Sequence, residues 1–166
     1  MGPRRKAREC GLQVLYLLET QGRQIPEPGQ PLTQVSTNPL QEVSAERVEE
    51  ALHDFFEHFD APDRTHTYTA EIVQGVISSL EKIDDLLTQS SPRWRVTRMA
   101  VVDRNVLRIA AYELLLEKGP PPRAVLDEAV EVARRYGSEK SSAFVNGVLD
   151  TLIRQIRPAA ARDREG

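Results

Sequence analysis

Arg4-Arg5-Lys6-Ala7-Arg8 places four cations within the first turns of a helix that Pro3 is suited to open. The helix macrodipole disfavours positive charge there by about 0.3–1 kcal/mol per exposed residue, so stability alone would favour Asp or Glu. Arg4 and Arg8 fall one turn apart on one flank, with Arg5 about 100° round and Lys6 beyond it. With the unpaired amides of the first turn, these side chains form a grip suited to successive phosphates of RNA. A solubilising basic terminus is the other reading of the same residues. A second run, Arg93-Trp94-Arg95 followed by Arg98, sets cations around the chain's single tryptophan, and that mixture also suits RNA. The alternative there is that Trp94 wedges between two lobes, its N–H held by a local acceptor, while the arginines balance an acidic helix.

Catalytic chemistry finds no inventory. The chain has no Gly-rich phosphate loop, no paired-cysteine metal pattern and no GxSxG turn. His53 and His58 are five apart and do not share a helix face; His53, Glu57 and His66 offer at most a weak surface metal site, against solvated polar residues. Cys10 falls on an apolar helix face with no histidine near it in sequence, which reads as a buried thiol. The expectation is a protein that is not an enzyme, with no cofactor and no metal.

Net charge is −3, but it is sectored. Residues 1–24 carry five basic and two acidic side chains, residues 25–90 three and thirteen, and residues 91–166 fourteen and ten. Positive fields at the two ends can attract phosphate while the acidic middle keeps the molecule dispersed. One cysteine forms no internal disulfide, and no apolar run reaches the roughly 18 residues of a membrane span. The basic start leads into an amphipathic segment rather than an apolar signal sequence, so the cytoplasm is expected and a membrane is not.

The elements that must position these residues are all helical; no period-2 strand pattern occurs. The first helix runs to about Gln21 and buries Ala7, Cys10, Val14, Leu17 and Leu18. Residues 22–43, with four prolines and two glycines, read as a mobile connection. Ser44 caps a second helix carrying Val48, Leu52, Phe55, Phe56 and Phe59, ended by Pro62. A long third helix, 65–88, carries Tyr68, Ile72, Val76, Leu80, Ile83 and Leu87. Beyond the basic run come helices over 101–118, 123–136 and 141–156. The second of these turns Val125, Ala129, Val132, Ala133 and Tyr136 inward, and the third buries Phe144, Val148, Leu149, Leu152 and Ile156. Gly137 stands where a left-handed helix-ending residue belongs. The expected organisation is an N-terminal helical lobe, 1–90, a C-terminal lobe, 91–158, and a frayed tail, 159–166.

Four stretches carry a resemblance. Arg4-Arg5-Lys6-Ala7-Arg8-Glu9-Cys10, with Leu12-Gln13-Val14-Leu15-Tyr16 after it, is similar to the opening signature of the NusB family. Val102-Asp103-Arg104-Asn105-Val106-Leu107-Arg108-Ile109-Ala110-Ala111-Tyr112-Glu113-Leu114 resembles its internal motif. Glu128 to Gly137 and Phe144-Val145-Asn146-Gly147-Val148-Leu149-Asp150 resemble its last two helices, whereas residues 22–90 match only in helical pattern.

The resemblance implies an all-α fold of two small helical bundles packed roughly perpendicular. It implies a transcription antitermination factor binding single-stranded boxA-type RNA jointly with NusE, a small ribosomal-subunit protein. That complex would act with RNA polymerase during ribosomal RNA transcription; a homodimer covering the RNA surface is a further expected association. Carried over to this chain, the RNA-contacting positions are Arg4, Arg5, Lys6, Arg8, Asp103 and Phe144, and the partner-contacting ones Asp103 and Arg104. For Phe144 core packing remains the alternative, and for Asp103 an N-cap or surface charge. Lys140 departs from the acidic residue the family often has before its last helix, and the 22–43 stretch is longer than usual. Two rivals remain: a helical domain serving an RNA cytosine methyltransferase, and an adaptor that binds protein only.

Overall fold

The computed structural model describes residues 3–21 and 38–156, and within them every regular element is helical. The chain divides between Ser78 and Ser79 into two compact units. Residues 22–37 and the tail from 157 onward, including most of the expected connection, lie outside the described residues.

The first unit holds α1 (Pro3–Gln21), a 3-10 turn (Pro39–Glu42), α2 (Ala45–His58) and α3 (Asp63–Ser78). Helix α1 packs against α2, α3 and the turn. Ala7, Cys10, Val14 and Leu18 are buried as expected; Leu12 and Leu15 join them, and Leu17 is only half-buried. Leu40 is 1% exposed. The end of the supposed connection is therefore folded: Pro39 opens a 3-10 turn that seats one leucine in the core, a signal too short for periodicity to carry.

Ser44 caps α2, its hydroxyl accepting from the Arg47 amide at 3.1 Å. Only Val48, Ala51 and Leu52 of that helix are fully buried. The three phenylalanines are half-buried and pack on one another instead. Phe55 meets Phe56 edge-on at 5.2 Å and Phe59 face-on at 5.3 Å, while Phe56 stacks on His66 at 3.9 Å.

The second unit holds α4 (Leu80–Ser90), a 3-10 turn (Val96–Arg98), α5 (Val101–Leu115), α6 (Pro122–Tyr136) and α7 (Ser141–Ile156). The long third helix expected over 65–88 is thus two helices, interrupted at Ser79, whose φ of −112° and ψ of 18° leave the helical range. Val76, Leu80, Ile83 and Leu87 keep apolar spacing straight through the interruption, so the pattern conceals it.

Helix α5 is buried nearly all round and contacts α4, α6 and α7. Its interior includes Arg104, Asn105, Arg108 and Glu113 as well as apolar side chains. Gly137 ends α6 at φ −96°, not in the left-handed region. Its need for glycine is steric: a Cβ there would fall on the Ser141 side chain and 2.7 Å from the Ala133 carbonyl. That close approach lets the Ser138 amide donate to the Ser141 hydroxyl at 2.9 Å as α7 begins. Tyr136, expected inward, is exposed at the end of α6. Among the described residues no helix is long and apolar enough to cross a membrane.

Candidate nucleic-acid interface

In the first unit, α1 begins at Pro3 with no acidic residue in its first turn. Arg4 is exposed, and its guanidinium carbon lies 5.7 Å from the centre of the Tyr68 ring. Lys6 is half-buried, its ammonium 5.0 Å from the Phe59 ring and 3.8 Å from the Glu9 carboxylate. A cation over an aromatic face gains about 0.5–1 kcal/mol at an exposed site. That is the size of the macrodipole penalty, so Tyr68 and Phe59 make the basic first turn tolerable. No sequence spacing links them to α1; only folding does.

Arg5 is half-buried. Arg8 is 8% exposed and belongs to the interior, so the expected pair of phosphate grips one turn apart reduces at the surface to Arg4 with Arg5 and Lys6 beside it. Cys10 is buried, and loss of hydration raises its thiol pKa; Lys6 lowers it, Glu9 raises it and a hydrogen bond with Thr69 lowers it, each to a smaller extent. It is a core thiol, as its helix face predicts.

In the second unit, Asp103 lies in the first turn of α5, where its charge suits the helix dipole. It is not an N-cap, since Ala100 occupies that position. Its Oδ1 is buried without a hydrogen-bond partner among the described residues. Arg104, expected to meet a protein partner, is instead buried. Its Nη1 donates to the Thr97 and Met99 carbonyls, each at 3.3 Å, which fastens the 3-10 turn to α5.

That turn carries Trp94 at its approach. Trp94 is 56% exposed, not a buried wedge, and its ring stands edge-on to Phe144, 6.3 Å between centres at 80°. Phe144 is half-buried in the first turn of α7, neither in the core nor fully in solvent. Arg93, Arg95, Arg98 and Lys140 are exposed. The pairing of Trp94 with Phe144, fifty positions apart, escaped the sequence; its only trace was the basic run around a lone tryptophan.

Among the described residues no group of three or more His, Cys, Asp or Glu side chains converges on a metal position. His53 bonds Glu57 at 2.9 Å in solvent, whereas the His66 ring lies against Phe56.

The sequence model of the NusB family matches residues 5–154, across both units. A transcription antitermination protein NusB of Desulfitobacterium hafniense is 36% identical over 153 residues, covering 92% of this chain and 89% of that protein. One of Sorangium cellulosum is 38% identical over 156 residues, covering 94% and 95%. Among solved structures, T. maritima NusB superposes with a TM-score of 0.71 at 31% identity, covering 98% of this chain and 99% of that one. A complex of the antitermination factors NusB and NusE with double-stranded RNA contains a chain with a TM-score of 0.67 at 25% identity, covering 93% and 98%. With the family match spanning both units and relatives this similar over almost their whole length, the chain belongs to the NusB family.

Proposed function

We propose that this chain is a transcription antitermination factor that binds boxA-type RNA jointly with a NusE-type ribosomal protein and acts with RNA polymerase in the cytoplasm during ribosomal RNA synthesis. The observation that carries the reading is the end-to-end match to proteins named for antitermination, over 92% of the chain in one and 94% in another. The surfaces agree with it. Arg4, Arg5 and Lys6 cluster at the N-terminus of α1, where the positive end of the helix dipole and the cations suit phosphate. Phe144 offers a ring at the start of α7, and Asp103 keeps a buried acceptor oxygen unsatisfied, which a donor from RNA or protein would pair.

The action is binding, not catalysis. The one thiol is buried and its pKa raised, opposite to the activation a nucleophile needs. The NusB chain in the solved complex accompanies NusE and RNA, and we assign this chain the same kind of assembly. The deciding measurement is RNA affinity with and without the NusE-type protein, alongside read-through of a terminator by RNA polymerase. Weak, salt-sensitive binding alone and tighter binding with the partner are expected. An affinity indifferent to the partner, or read-through unchanged when the factor is added, sinks the proposal, as does RNA cleavage or methylation abolished by one substitution in this chain.

A further inference from the structure

We infer that Trp94 and Phe144 form a stacking platform for one unpaired base of the bound RNA, with Arg93, Arg95 and Lys140 holding the phosphates beside it. The inference rests on the RNA-binding reading and adds to it the place where a base is taken.

Exposure is the first observation. Trp94 is the chain's only tryptophan, and burying such a ring is among the largest apolar gains open to a fold. Here 56% of it remains in solvent. Geometry is the second. At 80° the two rings are not stacked, so whichever supplies the edge keeps both faces clear of the other. A flat third ring can lie on such a face, and every base has one to offer.

Rigidity is the third observation. The Trp94 amide donates to the Ser91 carbonyl at 2.9 Å, and the Ser91 hydroxyl donates to the Trp94 carbonyl at 3.2 Å. Arg104 holds the carbonyls of Thr97 and Met99 just beyond. On the other side, the Phe144 amide bonds the Lys140 carbonyl at 3.1 Å, and Val145 next to it is fully buried. The backbone that carries each ring is therefore held before any ligand arrives, which lowers the ordering cost of binding.

Charge is the fourth. Arg93, Arg95 and Arg98 flank Trp94 and are exposed, while Lys140, also exposed, precedes Phe144 by one helical turn. Cations beside a partly exposed aromatic pair match the alternation of phosphate and base along a single strand. A duplex, whose bases are already stacked and paired, offers the platform nothing.

Because Trp94 is the sole tryptophan, a base stacked on it should quench the protein's indole emission directly. The test titrates the full chain with a short mixed-sequence single-stranded RNA and with the same sequence as a duplex, reading emission beside the anisotropy of end-labelled RNA. Quenching should saturate with the anisotropy for the single strand and stay absent for the duplex. Trp94→Ala should weaken single-strand binding at least about five-fold, and Trp94→Phe, which keeps a ring, should recover most of it. Arg93→Gln with Arg95→Gln should reduce the salt dependence while leaving the quench at saturation intact.

Saturable single-strand binding with no quench, or Trp94→Ala binding like the unaltered protein, overturns the platform and leaves the RNA reading standing. No RNA binding by the unaltered protein, with or without the NusE-type partner, overturns both. If Trp94→Ala spares RNA affinity and abolishes partner binding, the surface serves a protein and the inference fails. Exposed Trp94 can be replaced without harm to the core, which circular dichroism of each variant checks.

Discussion

Arg108 grips Asp84 with two nearly parallel bonds, Nε to Oδ1 at 2.9 Å and Nη2 to Oδ2 at 3.0 Å, and its remaining Nη1 donates to Asn105 at 3.1 Å. The arginine side chain is 1% exposed and the aspartate 14%. This pair ties α5 to α4, and hence fixes the helix from whose start Asp103 and Arg104 project. A buried cation has no cheap alternative to its partner, because rehydration would require opening the unit.

Asp84→Ala should therefore destabilise the protein by about 3–5 kcal/mol, since it strands the guanidinium. Changing both residues, Asp84→Leu with Arg108→Met, should cost far less, because no charge is left behind. Urea unfolding of the two variants checks this. A single variant no worse than the double one would show that solvent reaches the site freely.

Periodicity revealed most helices because each buries a stripe, and Ser44 declared its cap through its own chemistry. It failed where apolar spacing continued across a backbone irregularity, as at Ser79, and where one leucine in a short turn did the packing, as at Leu40. The surface of the candidate interface was legible only in its charge. Arg4, Arg5 and Lys6 announced themselves by standing against the helix dipole, but Arg8 and Arg104 show that an arginine in a motif can equally serve the interior. Charge is visible in a sequence; burial and the aromatic neighbours of a cation depend on chain crossings that one sequence does not display.

Leu40 supplies a direct check on that reading. Expected in a mobile connection, it is instead almost fully buried, in a turn that packs against α1. Leu40→Ala should cost about 2–5 kcal/mol, the range for a buried leucine, measured by thermal or denaturant unfolding. A loss near zero would place Leu40 outside the core.

Cys10 gives a pH prediction with a definite sign. Burial raises its folded pKa above the ordinary 9.0, so between the two values the unfolded chain loses its proton while the folded chain keeps it. The unfolded state then binds fewer protons, and stability must fall as pH rises through that window. Below pH 9.0 the contribution is fully present and flat. Cys10→Ala should lose this component of the alkaline decline, and the unaltered folded protein should resist thiol alkylation at neutral pH. Rapid alkylation of the native state would contradict the burial.

Arg4 and Arg8, one turn apart on α1, should respond in opposite ways to the same substitution. Arg4 is exposed over Tyr68, where the aromatic contact and the unfavourable dipole are of similar size, so Arg4→Ala should change stability by less than about 1 kcal/mol. Its effect should appear in RNA binding to the partner-assisted complex. The slope of log affinity against log salt should drop by roughly 0.7 for a single strand. That loss should be alike for different RNA sequences, because a phosphate contact positions the ligand without reading it. Arg8 is buried and is not without an interaction of its own. Arg8→Ala should leave buried partners unsatisfied and cost about 1–3 kcal/mol in unfolding. With the fold retained at low temperature, its salt slope should match that of the unaltered protein. Parallel salt titrations of the two variants, each with its unfolding curve, separate the surface cation from the structural one. An unchanged slope for Arg4→Ala would remove it from the RNA contact, and a reduced slope for Arg8→Ala would mean that its guanidinium reaches phosphate despite its burial.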